Sequence, residues 1–284
     1  MYIEHLRIPV GAGALHVERL GRGGRPIVLL HGFGTCAFLW RRIAPLLAER
    51  GFTVLAFDLL GYGESDRPPD AGYGLQAQAD YLDLALTALR LPPAVVVGQD
   101  IGALVALELA TRGGGRVHSL VLVSPSNPLD LPGPPIRALQ RAAARVALGA
   151  NSLFGAGPLL TTLLRDAVVD TAHMTDLLVA RYLAPFVGGD GVSHLLMLAS
   201  SLELEDDEAL VLSTVSQAAL IVTGAADRLP ETEFIARLVG ELGNQAGVLT
   251  RVVDGAGPLV AEDAPAALAD IVAEWANLSA PLGV

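Results

Sequence analysis

Short, wholly apolar runs that return at intervals, each followed by a longer Ala- and Leu-rich stretch, constrain this chain more than any other feature. Pro26-Ile27-Val28-Leu29-Leu30 carries no polar side chain, and residues 36–50 after it read as a helix. Phe52 to Asp58 reads as the next strand, followed by a Gly-rich turn through Leu59-Leu60-Gly61-Tyr62-Gly63. A helix over 75–90, a strand over Ala94-Val95-Val96-Val97-Gly98, a helix from Ile101 to Arg112 and a strand from Val117 to Ser124 continue the rhythm. Strands without a polar face need cover on both sides, and parallel strands need crossover helices. The two together predict an α/β protein with a mostly parallel, doubly wound sheet.

The rhythm breaks at Pro125. From Asn127 to about Leu212 no strand is convincing, only helical segments separated by Pro-Gly turns, with Leu131-Pro132-Gly133-Pro134-Pro135 as an entry hinge. Alternation then resumes: strand Ala218 to Thr223, helix 230–242, strand Val248 to Val253, helix 264–277. A helical insertion between two strands of one sheet is a cap on that sheet. The expected organisation is a core of residues 1–126 and 213–284 with a helical cap over 127–212.

Composition removes several kinds of function. Charged residues make up 17% of the chain against 52% hydrophobic, so disorder is excluded for most of the length. The chain has no lysine, all 19 basic residues being arginine, which excludes Schiff-base and P-loop chemistry. A formal charge of −11 argues against nucleic-acid binding. Cys36 is the lone cysteine, so no intramolecular disulfide and no Cys-based zinc site is expected. The first residues resemble no signal peptide, and apolar runs end well short of a membrane span. A cytoplasmic protein that binds neither membrane nor nucleic acid is expected.

Gly98-Gln99-Asp100-Ile101-Gly102 lies where a strand turns into a helix. Small residues two before and two after a central one suit a sharp strand–turn–helix elbow, because larger side chains would clash there. Taken alone, Asp100 reads equally well as a helix N-cap. Other segments stand in fixed order around it: His31-Gly32-Phe33-Gly34 after the first strand, Asp58 to Asp66 after the second, and Thr223-Gly224-Ala225-Ala226-Asp227 after the cap. Together they resemble the α/β-hydrolases, in the capped epoxide hydrolase and haloalkane dehalogenase branch, over residues 26 to 277.

The resemblance implies roles. Asp100 matches the nucleophile, as a carboxylate that would attack an sp³ carbon. The backbone N–H groups of Phe33 and Ile101 match the oxyanion hole, and Asp227 the acid that orients a catalytic histidine. His31, Asp58, Gly61 and Gly63 match residues that shape turns. The histidine itself is expected after the last strand, in Asp254-Gly255-Ala256-Gly257-Pro258-Leu259-Val260, but Pro258 stands in its place. His194 is the last histidine of the chain. Without that base, the water that should hydrolyse an Asp ester is not activated. His173 and His194 lie in the cap, and either is a candidate replacement; His5, His16 and His118 lie on early or edge segments and read as structural.

Other markers of the branch differ as well. Ile101 stands where dehalogenases carry a halide-binding Trp, and the cap holds one tyrosine, Tyr182, where epoxide hydrolases use two to protonate the epoxide. The cap is otherwise apolar (Leu148, Leu153, Phe154, Leu159, Leu160, Leu163, Leu164, Leu195), with Arg137, Arg141 and Arg145 as a solvated stripe. The expected ligand is an apolar small molecule oriented by Asp100, Gln99 and Tyr182, with no cofactor and no metal. The expected activity is that of a cyclase, isomerase or lyase in which Asp100 acts as acid or base. A degenerate epoxide hydrolase and a non-catalytic binding module are the alternatives. Two uncompensated buried carboxylates are costly, so a proton, water or hydroxyl is expected at Asp100 and Asp227.

Overall fold

The computed structural model describes residues 2–133, 136, 137, 140, 157–187, 189–203, 212–227, 232–243 and 247–279. They form one eight-stranded sheet in the order β1-β2-β4-β3-β5-β6-β7-β8. The strands are β1 Glu4–Pro9, β2 Ala14–Leu20, β3 Pro26–Leu30, β4 Thr53–Phe57, β5 Ala94–Gln99, β6 Val117–Val123, β7 Ala219–Gly224 and β8 Val248–Val253. β1 pairs antiparallel with β2, and β2 antiparallel with β4; every later pair is parallel. The α/β, mostly parallel architecture expected from the apolar runs is therefore the one observed.

Burial explains which strands are parallel. β3 and β5 are buried at every residue, as strands covered on both faces must be. Alternate residues divide between two cores. Val28, Leu30, Leu55, Phe57 and Val96 face one side, under α2 (Leu75–Ala88) and α3 (Ile101–Thr111). Ile27, Leu29, Val54, Ala56, Val95 and Val97 face the other, under α1 (Ala44–Glu49).

Two expectations need correction. The sequence reading placed no strand before Pro26, yet β1 and β2 form a hairpin at the sheet edge. β1 alternates half-buried residues such as Leu6 and Ile8 with exposed ones, and β2 interrupts its apolar residues with His16, Glu18 and Arg19, so no apolar run marks either. The helix expected over 36–50 is broken into a 3₁₀ turn at Ala37–Trp40 and α1. Pro45 stands in the first turn of α1, where its missing N–H costs nothing; it fits the interior of a longer helix poorly.

Between β6 and β7 the described residues hold only helices: a 3₁₀ turn at Pro128–Asp130, α4 (Gly157–Asp166), α5 (Asp176–Leu183), a turn at Ala184–Phe186, α6 (Gly189–Ser200) and a turn at Leu212–Thr214. α7 (Thr232–Gly243), α8 (Val260–Asp263) and α9 (Pro265–Leu278) complete the chain. Leu148, Leu153, Phe154, Arg141 and Arg145, which the sequence reading assigned to the cap, lie outside the described residues. Among the described residues no helix is long and apolar enough to cross a membrane.

α3 has no polar face. Its residues from Ile101 through Leu107 are all buried, and it packs directly behind β5 and β6. Gly102 makes this possible, because a Cβ there would stand 2.5 Å from the His31 carbonyl oxygen and 2.7 Å from that of Leu30. Neither atom is a flexible side-chain end. Gly102→Ala is therefore expected to destabilise the fold by about 1–3 kcal/mol, measured as a fall in the urea midpoint with an unchanged slope.

Candidate active site at the elbow after β5

Asp100 joins β5 to α3 with φ 55° and ψ −121°, a backbone conformation that L-residues rarely adopt. The turn is sharp because both flanks are glycine. A Cβ on Gly98 would lie 2.2 Å from the Gly102 carbonyl oxygen. A Cβ on Gly32 would meet the Asp100 carboxyl at 2.8 Å, so the loop after β3 also needs glycine to come this close.

That approach puts the Phe33 N–H on Asp100 Oδ2 at 2.8 Å. The Ser126 hydroxyl donates to Oδ1 from the loop after β6. Burial pushes the Asp100 carboxyl above its ordinary value; the Ser126 hydroxyl and the Phe33 and Ile101 amides work against this, and the charge of Asp227 adds to it. The hydroxyl expected at Asp100 is thus supplied by Ser126. The sequence reading did not single that residue out. The signal available was positional: β5 and β6 are neighbours, so their carboxyl ends open side by side.

Gln99 and Pro258 meet directly. The Gln99 side-chain amide donates to the Pro258 carbonyl oxygen at 3.2 Å, tying the elbow to the loop after β8. Gln99 is fully buried, and its Oε1 has no hydrogen-bond partner among the described residues. Asp227 ends the turn after β7, where its N–H donates to the Gly224 carbonyl at 3.0 Å. Asp100 and Asp227 are close enough to influence each other electrostatically.

All six histidines fall in the described residues, and none bonds to Asp100. His31 Nδ1 donates to the Gly32 carbonyl at 2.8 Å and Nε2 accepts from the Leu59 N–H at 3.1 Å, so its ring links two loops. His194 donates to the Gly61 carbonyl at 2.6 Å and packs between Tyr73 and Phe186. His173 is an exposed partner of Asp170.

Tyr182 is committed elsewhere. Its hydroxyl donates to Glu262 Oε1, while Arg41 holds the same carboxylate through two bonds of 2.6 and 2.9 Å. The phenol is buried and its ring packs edge-on against Phe38. It fastens α5 to α8 rather than facing Asp100. Tyr62 is nearer the chemistry. Its ring stands edge-on to His31 and Phe33, and its buried hydroxyl has no partner among the described residues. Burial, then the Asp100 charge, push that phenol far above its ordinary value.

A cavity of about 270 Å³ is lined by His16, Glu18, Cys36, Asp58, Glu64, Arg67 and Arg181 among others. None of Asp100, Asp227 or Gln99 lines it. Its one thiol, Cys36, is pushed up to about 12 by burial and offers no thiolate near neutral pH.

Two outcomes follow from these contacts. Asp100→Asn keeps the shape and removes a carboxyl whose folded-state pKa is raised. The wild type loses stability as pH rises from the ordinary carboxylate value through that raised value, and the variant does not. The variant is expected to melt higher, by a margin that grows with pH across that window in thermal unfolding scans. Tyr182→Phe is expected to cost about 1.5–3 kcal/mol in denaturant unfolding, since it removes a hydrogen bond to the buried Glu262 carboxylate.

The geometry agrees with what the chain resembles. A family model described as "alpha/beta hydrolase fold" matches residues 25–165. A haloalkane dehalogenase of Agrobacterium fabrum is 40% identical over 117 residues, 41% of this chain and 38% of that protein. The bifunctional epoxide hydrolase 2 of Rattus norvegicus is 33% identical over 140 residues, 49% of this chain and 25% of that protein. The match thus spans well under half the length of these relatives. Among solved structures, the haloalkane dehalogenase DbeA of Bradyrhizobium elkani superposes with a TM-score of 0.77 at 24% identity, covering 98% of this chain and 99% of that one. The chain has the α/β-hydrolase fold, and haloalkane dehalogenases and epoxide hydrolases are among its relatives.

Proposed function

We propose that this chain is an enzyme acting on an apolar small molecule by proton transfer, as an isomerase, cyclase or lyase, and that it has left the hydrolytic route through an Asp ester that the family resemblance implies. The observation that carries this reading is the Asp100 carboxyl itself. It is raised in pKa by burial, it is hydrogen-bonded on both oxygens by Phe33 and Ser126, and no histidine reaches it. Turnover through an Asp ester needs a base that activates water, and Pro258 occupies the position where the family resemblance expects it. A carboxyl raised toward neutrality is suited to another task. It accepts a proton from one carbon of the substrate and returns it to another, with Ser126 holding Oδ1 between the two steps. Tyr62 then orients a substrate oxygen with its spare hydroxyl, and apolar side chains of a cap over 127–212 fold the substrate against the elbow.

The epoxide hydrolase among the relatives supports an epoxide-opening alternative, in which Asp100 and Asp227 take the roles of nucleophile and orienting acid that the resemblance implies. The two readings separate with styrene oxide. Under the proton-transfer reading the wild type releases no diol and gains no mass by intact-protein mass spectrometry. Pro258→His adds no diol formation, because Ser126 still holds Asp100 Oδ1 and Gln99 still holds the backbone carbonyl of residue 258. Steady diol release, or a one-to-one adduct that disappears in Asp100→Asn, rejects proton transfer in favour of epoxide opening.

A further inference from the structure

We infer that the edge hairpin carries a binding site for a first-row transition dication of the zinc class, formed by His5, His16 and Glu18. The placement follows from the register of β1 and β2. His5 stands directly opposite Glu18, and His16 opposite Arg7, so His5, His16 and Glu18 share one face of the hairpin. Their donor atoms lie within 4.8 Å of one another. His5 Nδ1 and His16 Nε2 face each other at 3.0 Å. A tetrahedral ion with ligands about 2.1 Å away has ligand–ligand edges of about 3.4 Å, so the two nitrogens already stand near the required separation. The Glu18 carboxylate closes in from the same strand as His16. Two imidazoles and a carboxylate are a donor set that suits zinc and its neighbours rather than calcium or magnesium.

What distinguishes this cluster from a chance surface grouping is the shell behind it. His16 is buried, and its Nδ1 bonds Asp58 Oδ2 at 2.8 Å. That bond turns the other nitrogen, Nε2, toward His5 and Glu18. A carboxylate that fixes the ring and tautomer of a histidine is the usual partner of a metal-binding imidazole. Asp58 is itself held by the Ala37 and Glu64 amides, at 2.6 and 2.9 Å, so the ring is rigidly aimed. The 270 Å³ cavity reaches His16 and Glu18 from the open side and gives an ion a way in. A further carboxylate, Glu64, lies on that cavity 3.8 Å from His16 Nε2, where it serves as fourth ligand or holds a ligating water. An ion here staples the edge hairpin to the turn after β4.

The test uses the full chain without a histidine tag, titrated with Zn²⁺ in a calorimeter, with Co²⁺ absorption as a second readout. One ion per chain is expected, with a raised melting temperature and the visible bands of tetrahedral Co²⁺. His5→Ala is expected to weaken Zn²⁺ at least about tenfold and to abolish the Co²⁺ bands. Glu18→Gln is expected to weaken Zn²⁺ by a similar factor. Absence of saturable one-to-one binding in the wild type overturns the inference. So does Zn²⁺ affinity that survives His5→Ala and Glu18→Gln unchanged, which would place the ion elsewhere on an acidic surface.

Discussion

The strained turn at Asp100 is the constraint on which the rest of the site depends. A non-glycine residue at φ 55° costs about 1–3 kcal/mol, and it persists because the backbone on every side is packed too closely to relax. Gly98 and Gly102 allow α3 to start immediately behind β5, and Gly32 lets the loop after β3 touch the carboxyl. The sheet order then supplies the partners. β5 lies between β3 and β6, so the Phe33 amide arrives from one neighbour and the Ser126 hydroxyl from the other. Neither contact is local in sequence; both come from neighbours in the order of the parallel strands.

A second carboxylate shows what pairing does under similar burial. Burial works to raise Asp58 as it does Asp100, but the His16 hydrogen bond and the Ala37 and Glu64 amides overcome it and hold Asp58 below its ordinary value. Asp100 has donors too, yet no cation among the described residues is one of the main influences on it, and Asp227 pushes in the opposite direction. One acid is thereby fixed as an anion that organises turns, and Gly63 is required beside it because a Cβ there would lie 2.2 Å from the carboxyl. The other is left easy to protonate. The difference is set by neighbours rather than by depth.

Much of this was legible in the residues. Apolar runs located β3 to β8 to within a residue or two; strands such as β3 and β5, covered on both faces, leave an uninterrupted signal, while β8, largely exposed at the sheet edge, showed through its valines. β1 and β2 escaped because an edge hairpin alternates and carries charge, and the functional possibilities of His5 and His16 escaped with them: cross-strand register cannot be read before the strands are recognised. The elbow and the Phe33 amide followed from motif order. Ser126 did not, because Ser124-Pro125-Ser126 looks like any loop until the sheet brings it beside Asp100. Tyr182 and Tyr62 show the converse limit. The motif favoured the tyrosine of the cap, yet a buried phenol goes to the nearest charge, and Glu262 with Arg41 stood closer than the elbow.

Nucleophilic attack and proton transfer ask opposite things of the same carboxyl. Attack on carbon needs a well-ionised acid, with a lone pair on the outer oxygen free to approach the substrate, and turnover then needs a base to cleave the ester. Proton transfer needs an acid whose pKa has moved toward the working pH, and a neighbour that holds the second oxygen while the proton comes and goes. At Asp100 burial and Asp227 act in the second direction. The Ser126 hydroxyl holds Oδ1, and the Gln99 amide binds the carbonyl of the residue standing where a base is expected. Restoring an imidazole at position 258 would leave the Ser126 hydroxyl on Oδ1 and the Phe33 amide on Oδ2. The proposed change from hydrolysis to proton chemistry therefore rests on several contacts around the carboxyl, and the position where the resemblance expects a histidine is one among them.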